Sequence, residues 1–431
     1  MATPDTSARS VVLDILAAVL GSRRPLDEAF ADHPALARLN ARDTALARNI
    51  VTTTIRRLGQ IDSLIEACLE KPIPRKDWMV HDILRLGICQ LMFMRTPSHA
   101  AVDTSVELAK KRGFGPYAKL VNAVLRRLDK EGRNVLKKQD AGQVNTPEWL
   151  WESWLTAYGE ETAHAIADAH LSEAPLDFTV KGDDAKAWAK KLDATILPTG
   201  TLRRKPGGRV EDLPGYEAGA WWVQDAAAAL PARLLGTVKD KLIIDLCAAP
   251  GGKTAQLAAR GAHVTAVDRS PRRLKILEAN LTRTGLKAEA VVGDAANWRP
   301  PEKADAVLLD APCSATGTMR RHPDVARLKT AEDVAKLAVA QARLLAAAVD
   351  MVKPGGTLVY CTCSLQPEEG RDRIAALLDT TAPVARVPIK AKEVDGLEEF
   401  ITPQGDLRTL PSFMSKDGGM DGFFAARLKR L

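Results

Sequence analysis

From Lys241 onward, short apolar runs alternate with helical segments, and this alternation constrains the fold more than any other feature of the chain. The runs are Leu242 to Leu246, Val264 to Val267, Ala290 to Val292, Ala306 to Leu309 and Thr357 to Tyr360. Nearly continuous apolar strands separated by helices predict a doubly wound parallel sheet covered on both faces. Ligands of such sheets bind at the carboxyl ends of the strands. The chemically suggestive residues of this half of the chain fall at those ends.

The rest of the chain reads differently. From Ser7 to about Leu128 the apolar residues recur at helical spacing, as in Val11, Leu13, Leu16 and Leu20 or Ile83, Leu84, Leu86, Ile88 and Leu91. Breaks at Arg24-Pro25, Pro72 to Pro74, Pro97 and Gly113 to Pro116 cut this pattern into helices of ordinary length, so an all-α bundle is expected. The Lys-rich stretch from Lys130 to Asn145 reads as a linker. Helical spacing resumes over 147–172, where Trp149, Trp151 and Trp154 fit a helix core better than a base-stacking face. Residues 174–215 mix strand-like runs with Gly, Pro and charge and read as a small α+β segment. The expected domains are therefore 1–140, 141–225 and 226–431.

Charge supports this division. Residues 1–140 hold 23 Lys and Arg against 16 Asp and Glu, so the whole net charge of +7 lies in the first third. That asymmetry suits an appended module facing a polyanion, although a solvated helix face can carry similar charge. Asp5 and Asp14 flank and interrupt the apolar stretch near the start, which argues against a targeting signal, and no apolar run is long enough to span a membrane. A cytoplasmic protein without membrane attachment is expected. Six scattered cysteines suit reduced thiols rather than a disulfide framework, and no Cys or His spacing suits a metal. Nothing in the sequence demands more than a monomer.

The first predicted strand runs into Asp245-Leu246-Cys247-Ala248-Ala249-Pro250-Gly251-Gly252-Lys253-Thr254. Such a turn of small residues lets backbone approach a nucleotide-like cofactor at a helix N-terminus. It is not a phosphate-binding loop, because Cys247 stands where that loop needs its first glycine. The second strand ends in Asp268, placed to accept ribose hydroxyls, and the third in Gly293-Asp294, placed toward an adenine. These features suit a nicotinamide dehydrogenase or a methyltransferase equally. The fourth and fifth strands separate the two. Asp310-Ala311-Pro312-Cys313 and Cys361-Thr362-Cys363-Ser364 bring two thiols to neighbouring strand ends, and hydride transfer has no use for them.

A thiol pair does suit cytosine chemistry. Carbon 5 of cytosine is a poor nucleophile, but a thiolate adding to carbon 6 turns the ring into an enamine that can attack a sulfonium methyl group. A proton must then leave carbon 5 and the enzyme must be expelled, work for a second acid or base near the first. Asp310 can hold the base through its exocyclic amine or ring nitrogen, and cationic Lys253 is placed to lower a thiol pKa. Spacing does not decide which cysteine attacks.

These motifs resemble the bacterial Fmu/Sun-type ribosomal RNA cytosine-5 methyltransferases. The resemblance rests on Asp245 to Thr254, Asp310 to Gly317 followed by Arg320 to Asp324, Thr362-Cys363-Ser364, Val223-Gln224-Asp225 and Asp421 to Ala425. The first third is similar to the family's NusB-like helical domain, notably at Leu86 to Leu91, Ser98 to Val102 and Leu120 to Arg127. The resemblance implies a Rossmann-like S-adenosyl-L-methionine methyltransferase domain, with small-subunit ribosomal RNA as substrate. It implies Cys363 as nucleophile and Cys313 as the residue that assists release. It implies cofactor contacts from Cys247, Ala248, Ala249, Pro250, Gly251, Gly252, Lys253, Asp268, Asp294 and Asp310. Two departures stand out: Asp177-Phe-Thr-Val-Lys181 replaces the family's Arg-Val-Asn-like run, and Gly370 replaces a favoured asparagine. The competing readings are a transfer RNA cytosine-5 methyltransferase and a non-catalytic RNA-binding assembly factor, the latter having no reason to keep both thiols.

Overall fold

The computed structural model describes residues 7–182 and 184–431; Asp5 lies outside them. The chain forms two compact units. One comprises Met1–Ser172 with Arg321–Thr330, and the other Glu173–Arg320 with Ala331–Leu431.

The first unit is helical. Its helices include Ala8–Leu16, Ala41–Arg56, Trp78–Ile88, Ser98–Lys111 and Ala118–Leu136, and the last three begin within a few residues of the predicted breaks at Pro72 to Pro74, Pro97 and Gly113 to Pro116. Val12, Ile50, Ile83, Leu86, Val102 and Leu125 form its core. The segment read as a linker is instead structured. The helix that begins at Ala118 runs on to Leu136, and Ala141–Asn145 adds a further turn. Buried Asn145 accepts the Gln60 backbone N–H at 3.1 Å and donates to the Gln60 side chain at 3.0 Å. The Lys-rich composition belongs to the solvated face of an amphipathic helix, and composition alone had mimicked a linker. Trp154 is fully buried, while Trp151 meets His164 edge-on at 4.8 Å between ring centres.

Residues Arg321–Thr330 complete this helical unit. Asp324 accepts the Leu26 N–H at 2.9 Å, Arg23 donates to the Leu328 carbonyl at 2.7 Å, and Arg327 donates to the Asn145 carbonyl at 2.8 Å. Leu328 packs against the helical core. A division at residues 140 and 225 therefore differs from the packing, which groups elements by the faces they bury rather than by their order.

The second unit holds two sheets. Strands β1 (Leu176–Val180), β2 (Thr195–Ile196), β3 (Leu202–Arg204) and β4 (Trp221–Val223) form a small antiparallel sheet in the order β2-β3-β1-β4. Phe178, Leu202 and Trp221 fill its core. Asp177, in the departing run, is wholly buried and grips Arg203 through two 2.7 Å bonds, a structural pairing inside the sheet.

The larger sheet contains β5 (Leu242–Leu246), β6 (His263–Asp268), β7 (Glu289–Val292), β8 (Ala304–Asp310), β9 (Val352–Thr362), β10 (Val384–Arg386), β11 (Leu407–Thr409) and β12 (Phe423–Arg430). Its order is β10-β12-β9-β8-β5-β6-β7, with β11 paired to β12. The strands β5 to β9 run parallel, and β12 enters antiparallel beside β9. Successive residues serve opposite faces, as the pleat requires. Ile243, Leu308 and Val359 pack on one side, and Ile244, Leu309 and Tyr360 on the other. Among the described residues no helix is long and apolar enough to cross a membrane, and no group of His, Cys, Asp and Glu is arranged to hold a metal.

Candidate active site

The turn after β5 is shaped by local backbone demands. Cys247 adopts a left-handed φ of 61°, unusual for a residue with a Cβ, and Gly251 has a φ of 103°. A Cβ on Gly251 would meet Leu277 at 2.8 Å, so the close approach needs glycine. The Ala249-Pro250 peptide is cis. The helix Gly252–Ala259 then begins with Lys253 and Thr254 buried. Thr254 donates to Asp245 at 2.6 Å, while the other Asp245 oxygen is buried without a partner. Burial pushes the Asp245 carboxyl up to about 7.

Asp268 closes β6 and is buried. It accepts the N–H groups of Ala249 at 3.2 Å and Ser270 at 2.9 Å, which lock it against the turn. Arg273 stands 3.5 Å from it and also donates to the Ala249 carbonyl. Asp294, after β7, accepts from the Ala296 N–H at 3.1 Å and from Asn297 at 2.6 Å.

A cleft of about 260 Å³ lies across these strand ends. Cys247, Asp268 and Asp294 line it among the candidates named from sequence. Ala248, Ala249, Pro250, Gly251, Gly252 and Lys253 build the adjoining turn and helix start rather than its wall. Burial pushes the Cys247 thiol up to about 12, so it serves as neutral surface. The sequence reading missed Arg273, Pro312 and the helix Ala331–Met351, which contributes Leu337, Ala340, Arg343 and Leu344. The signal was present: these four share one face of that helix. Two carboxylates with apolar walls between them suit a nucleoside-like ligand.

The ends of β8 and β9 bring the two thiols together. Cys313 Sγ and Cys363 Sγ are 3.4 Å apart. The hydrogen bond with Cys363, aided by burial, holds the Cys313 thiol well above its ordinary pKa. The loops are tied by the Gly317 N–H, which donates to the Cys363 carbonyl at 3.0 Å, and by the Gly422 N–H, which donates to Gly317 at 2.8 Å. A Cβ on Gly317 would come within 2.0 Å of the Gly422 carbonyl oxygen.

Asp310 ends β8 between this pair and the turn. Lys253 Nζ lies 2.7 Å from one of its oxygens, and Cys361 Sγ donates to the other at 3.4 Å. Burial opposes the Lys253 charge, but the Asp310 carboxylate together with the neighbouring Cys361 and Cys363 sulfurs outweighs it and raises the ammonium pKa. At Cys361 burial and the Asp310 carboxylate raise the thiol pKa, and the nearby Lys253 ammonium lowers it in part, so the net shift is upward. Lys253 itself is paired with the Asp310 carboxylate.

Comparison with known proteins bears on the family and the fold. Residues 232–429 match the family described as 16S rRNA methyltransferase RsmB/F, and residues 6–130 match the NusB family. A crystal structure of a methyltransferase homolog protein from Pyrococcus horikoshii aligns with TM-score 0.54 and 25% identity, covering 65% of this chain and 94% of its own. The crystal structure of PH0851 shares the fold across 100% of both chains, with TM-score 0.77 and 23% identity. Fold and site together define a Rossmann-like methyltransferase preceded by a NusB helical domain. Ribosomal RNA small subunit methyltransferase B of Shewanella oneidensis is 36% identical over 404 residues, covering 90% of this chain and 91% of its own. That of Vibrio cholerae serotype O1 is 39% identical over 366 residues, covering 81% and 84%. The chain belongs to the ribosomal RNA small subunit methyltransferase B family.

Proposed function

We propose that this protein methylates carbon 5 of a cytosine in small-subunit ribosomal RNA, through a covalent bond between Cys363 and the base. The observation that carries the reading is the 3.4 Å approach of the Cys313 and Cys363 sulfurs at two strand ends that neighbour the cleft. S-adenosylmethionine, when bound, supplies the methyl group as the electrophile of its sulfonium. Asp268 and Asp294 would hold its ribose and adenine ends, and the turn from Cys247 to Lys253 would meet its remaining polar groups.

The target cytosine must leave any base stack to reach the partly buried thiols. Cys363 then adds to carbon 6, which makes carbon 5 nucleophilic. Asp310, oriented by Lys253 and Cys361, offers an acceptor for the exocyclic amine of the base. After transfer, carbon 5 must lose its proton so that the Cys363 bond can break and the ring double bond return. Cys313 is suited to this step. Its sulfur lies 3.4 Å from that of Cys363, close to the ring carbon that must lose the proton.

The test is trapping with small-subunit ribosomal RNA and S-adenosylmethionine. Cys313→Ala is expected to accumulate a denaturant-stable protein-RNA adduct, and Cys363→Ala and the double variant none. Adduct in Cys363→Ala alone would exchange the roles. Absence of both adduct and 5-methylcytidine with the unaltered protein would refute the reading.

A further inference from the structure

A single carboxylate lies behind both cysteine-bearing loops. Glu369 closes the short turn Pro367–Glu369 and is wholly buried. One of its oxygens accepts the Ser314 backbone N–H at 2.9 Å and Gln341 Nε2 at 3.0 Å. The other accepts the Ser364 hydroxyl at 2.5 Å and the Ser314 hydroxyl. Four donors thus meet the four lone-pair sites of a carboxylate, an acceptor-only group. Ser314 directly follows Cys313, and Ser364 directly follows Cys363. Gln341 extends the network to the residue before Cys313 by donating to the Pro312 carbonyl at 2.9 Å. The carbonyl of Glu369 is held as well, by the Tyr360 hydroxyl at 2.8 Å and the Thr362 hydroxyl at 3.2 Å.

This arrangement is more than a satisfied buried acid. β8 and β9 pair only as far as Asp310 and Cys361, so beyond those residues the sheet no longer fixes the spacing of the loops. Beyond the ladder the loops are joined by the Gly317 N–H to Cys363 carbonyl bond and, from the buried side, by this carboxylate. We propose that Glu369 is a positioning residue for the thiol pair, setting the separation of Cys313 and Cys363 from the buried side while touching neither sulfur nor substrate. The inference rests on the proposed chemistry for its effect on turnover, but its structural content stands independently of that chemistry.

The test uses the full chain carrying Glu369→Gln, which keeps shape but removes the charge and replaces one acceptor oxygen by a donor. Phenylarsine oxide provides a readout independent of methyl transfer. It condenses with two close thiols, forming two As–S bonds and releasing its oxygen as water without oxidation or reduction. The unaltered protein is expected to bind it through Cys313 and Cys363, and to lose binding in Cys313→Ala. Glu369→Gln is expected to weaken that binding and to lower kcat about 100-fold, the scale of a misplacement of about 1 Å, with KM for RNA and for S-adenosylmethionine nearly unchanged. Unchanged arsenical binding and kcat in Glu369→Gln would overturn the proposal. Weakened arsenical binding in a series whose unaltered protein makes no 5-methylcytidine would keep the positioning role and discard the reaction assigned above. Should Glu369→Gln fail to fold, Ser364→Ala removes one hydroxyl and leaves the carboxylate three donors. A smaller loss in the same direction supports the proposal, and no change in either readout overturns it.

Discussion

Lys253 Nζ lies 2.7 Å from Asp310 Oδ2, so one ion pair joins the start of the helix after β5 to the end of β8. The lysine is buried and the aspartate about a third exposed, with side-chain exposures of 9% and 32%. Removing the cation leaves the carboxylate partly desolvated with only Cys361 as donor. Lys253→Met is therefore expected to cost about 1–2 kcal/mol, less than a fully buried broken pair because water still reaches Asp310. Urea denaturation checks the stability. Methyl transfer should fall by about 10-fold or more, because Asp310 loses its orientation.

Asp245 makes a pH-dependent contribution of defined sign. Burial lifts its folded pKa to about 7 from 3.8, so the folded protein keeps a proton that the unfolded chain releases. Its stabilising contribution is complete below about pH 4 and is lost as pH rises through 7. Asp245→Asn lacks this dependence. Relative to the unaltered protein, its stability is expected to improve by about 2–3 kcal/mol between pH 5 and pH 8, measured by urea denaturation in the absence of ligand. A constant difference across that range would show that Asp245 does not titrate there.

The helix Ala118–Leu136 exposes Lys119, Arg126, Lys130 and Arg133 while burying Val121, Val124, Leu125 and Leu128. If this face neutralises RNA phosphates, affinity must fall steeply with salt. Fluorescence anisotropy over a several-fold salt range should show that slope. The double variant Arg126→Ala, Lys130→Ala should bind more weakly across sequences and reduce the slope by about 2. Affinity independent of salt would remove this helix from the RNA-binding surface.

Much of the larger sheet was legible because a parallel strand buried on both faces writes itself as an unbroken apolar run. The β5, β6, β8 and β9 runs fall at their predicted places for that reason, whereas β7 lies at the sheet edge and is only partly covered. The neighbouring thiols were legible from strand order, since residues at the ends of adjacent parallel strands must meet. Three things were not. The helix through Lys130 was obscured by its solvated face, whose charge resembles that of a linker. The wall supplied by Leu337, Ala340, Arg343 and Leu344 could not be assigned until the crossover helix was seen over the strand ends. Glu369 carries no local signal, because its partners Ser314, Gln341 and Ser364 come from separate segments of the chain.

The placement of Arg321–Thr330 in the helical unit has a consequence for synthesis. A ribosome releases the helical segment up to Ser172 first, yet the bonds from the Leu26 N–H to Asp324 and from the Arg23 guanidinium to the Leu328 carbonyl can form only after β1 to β8 have emerged. The earliest-made part of the protein is thus among the last to be finished. A nascent chain arrested before Arg321 carries an incomplete helical unit, however long it waits.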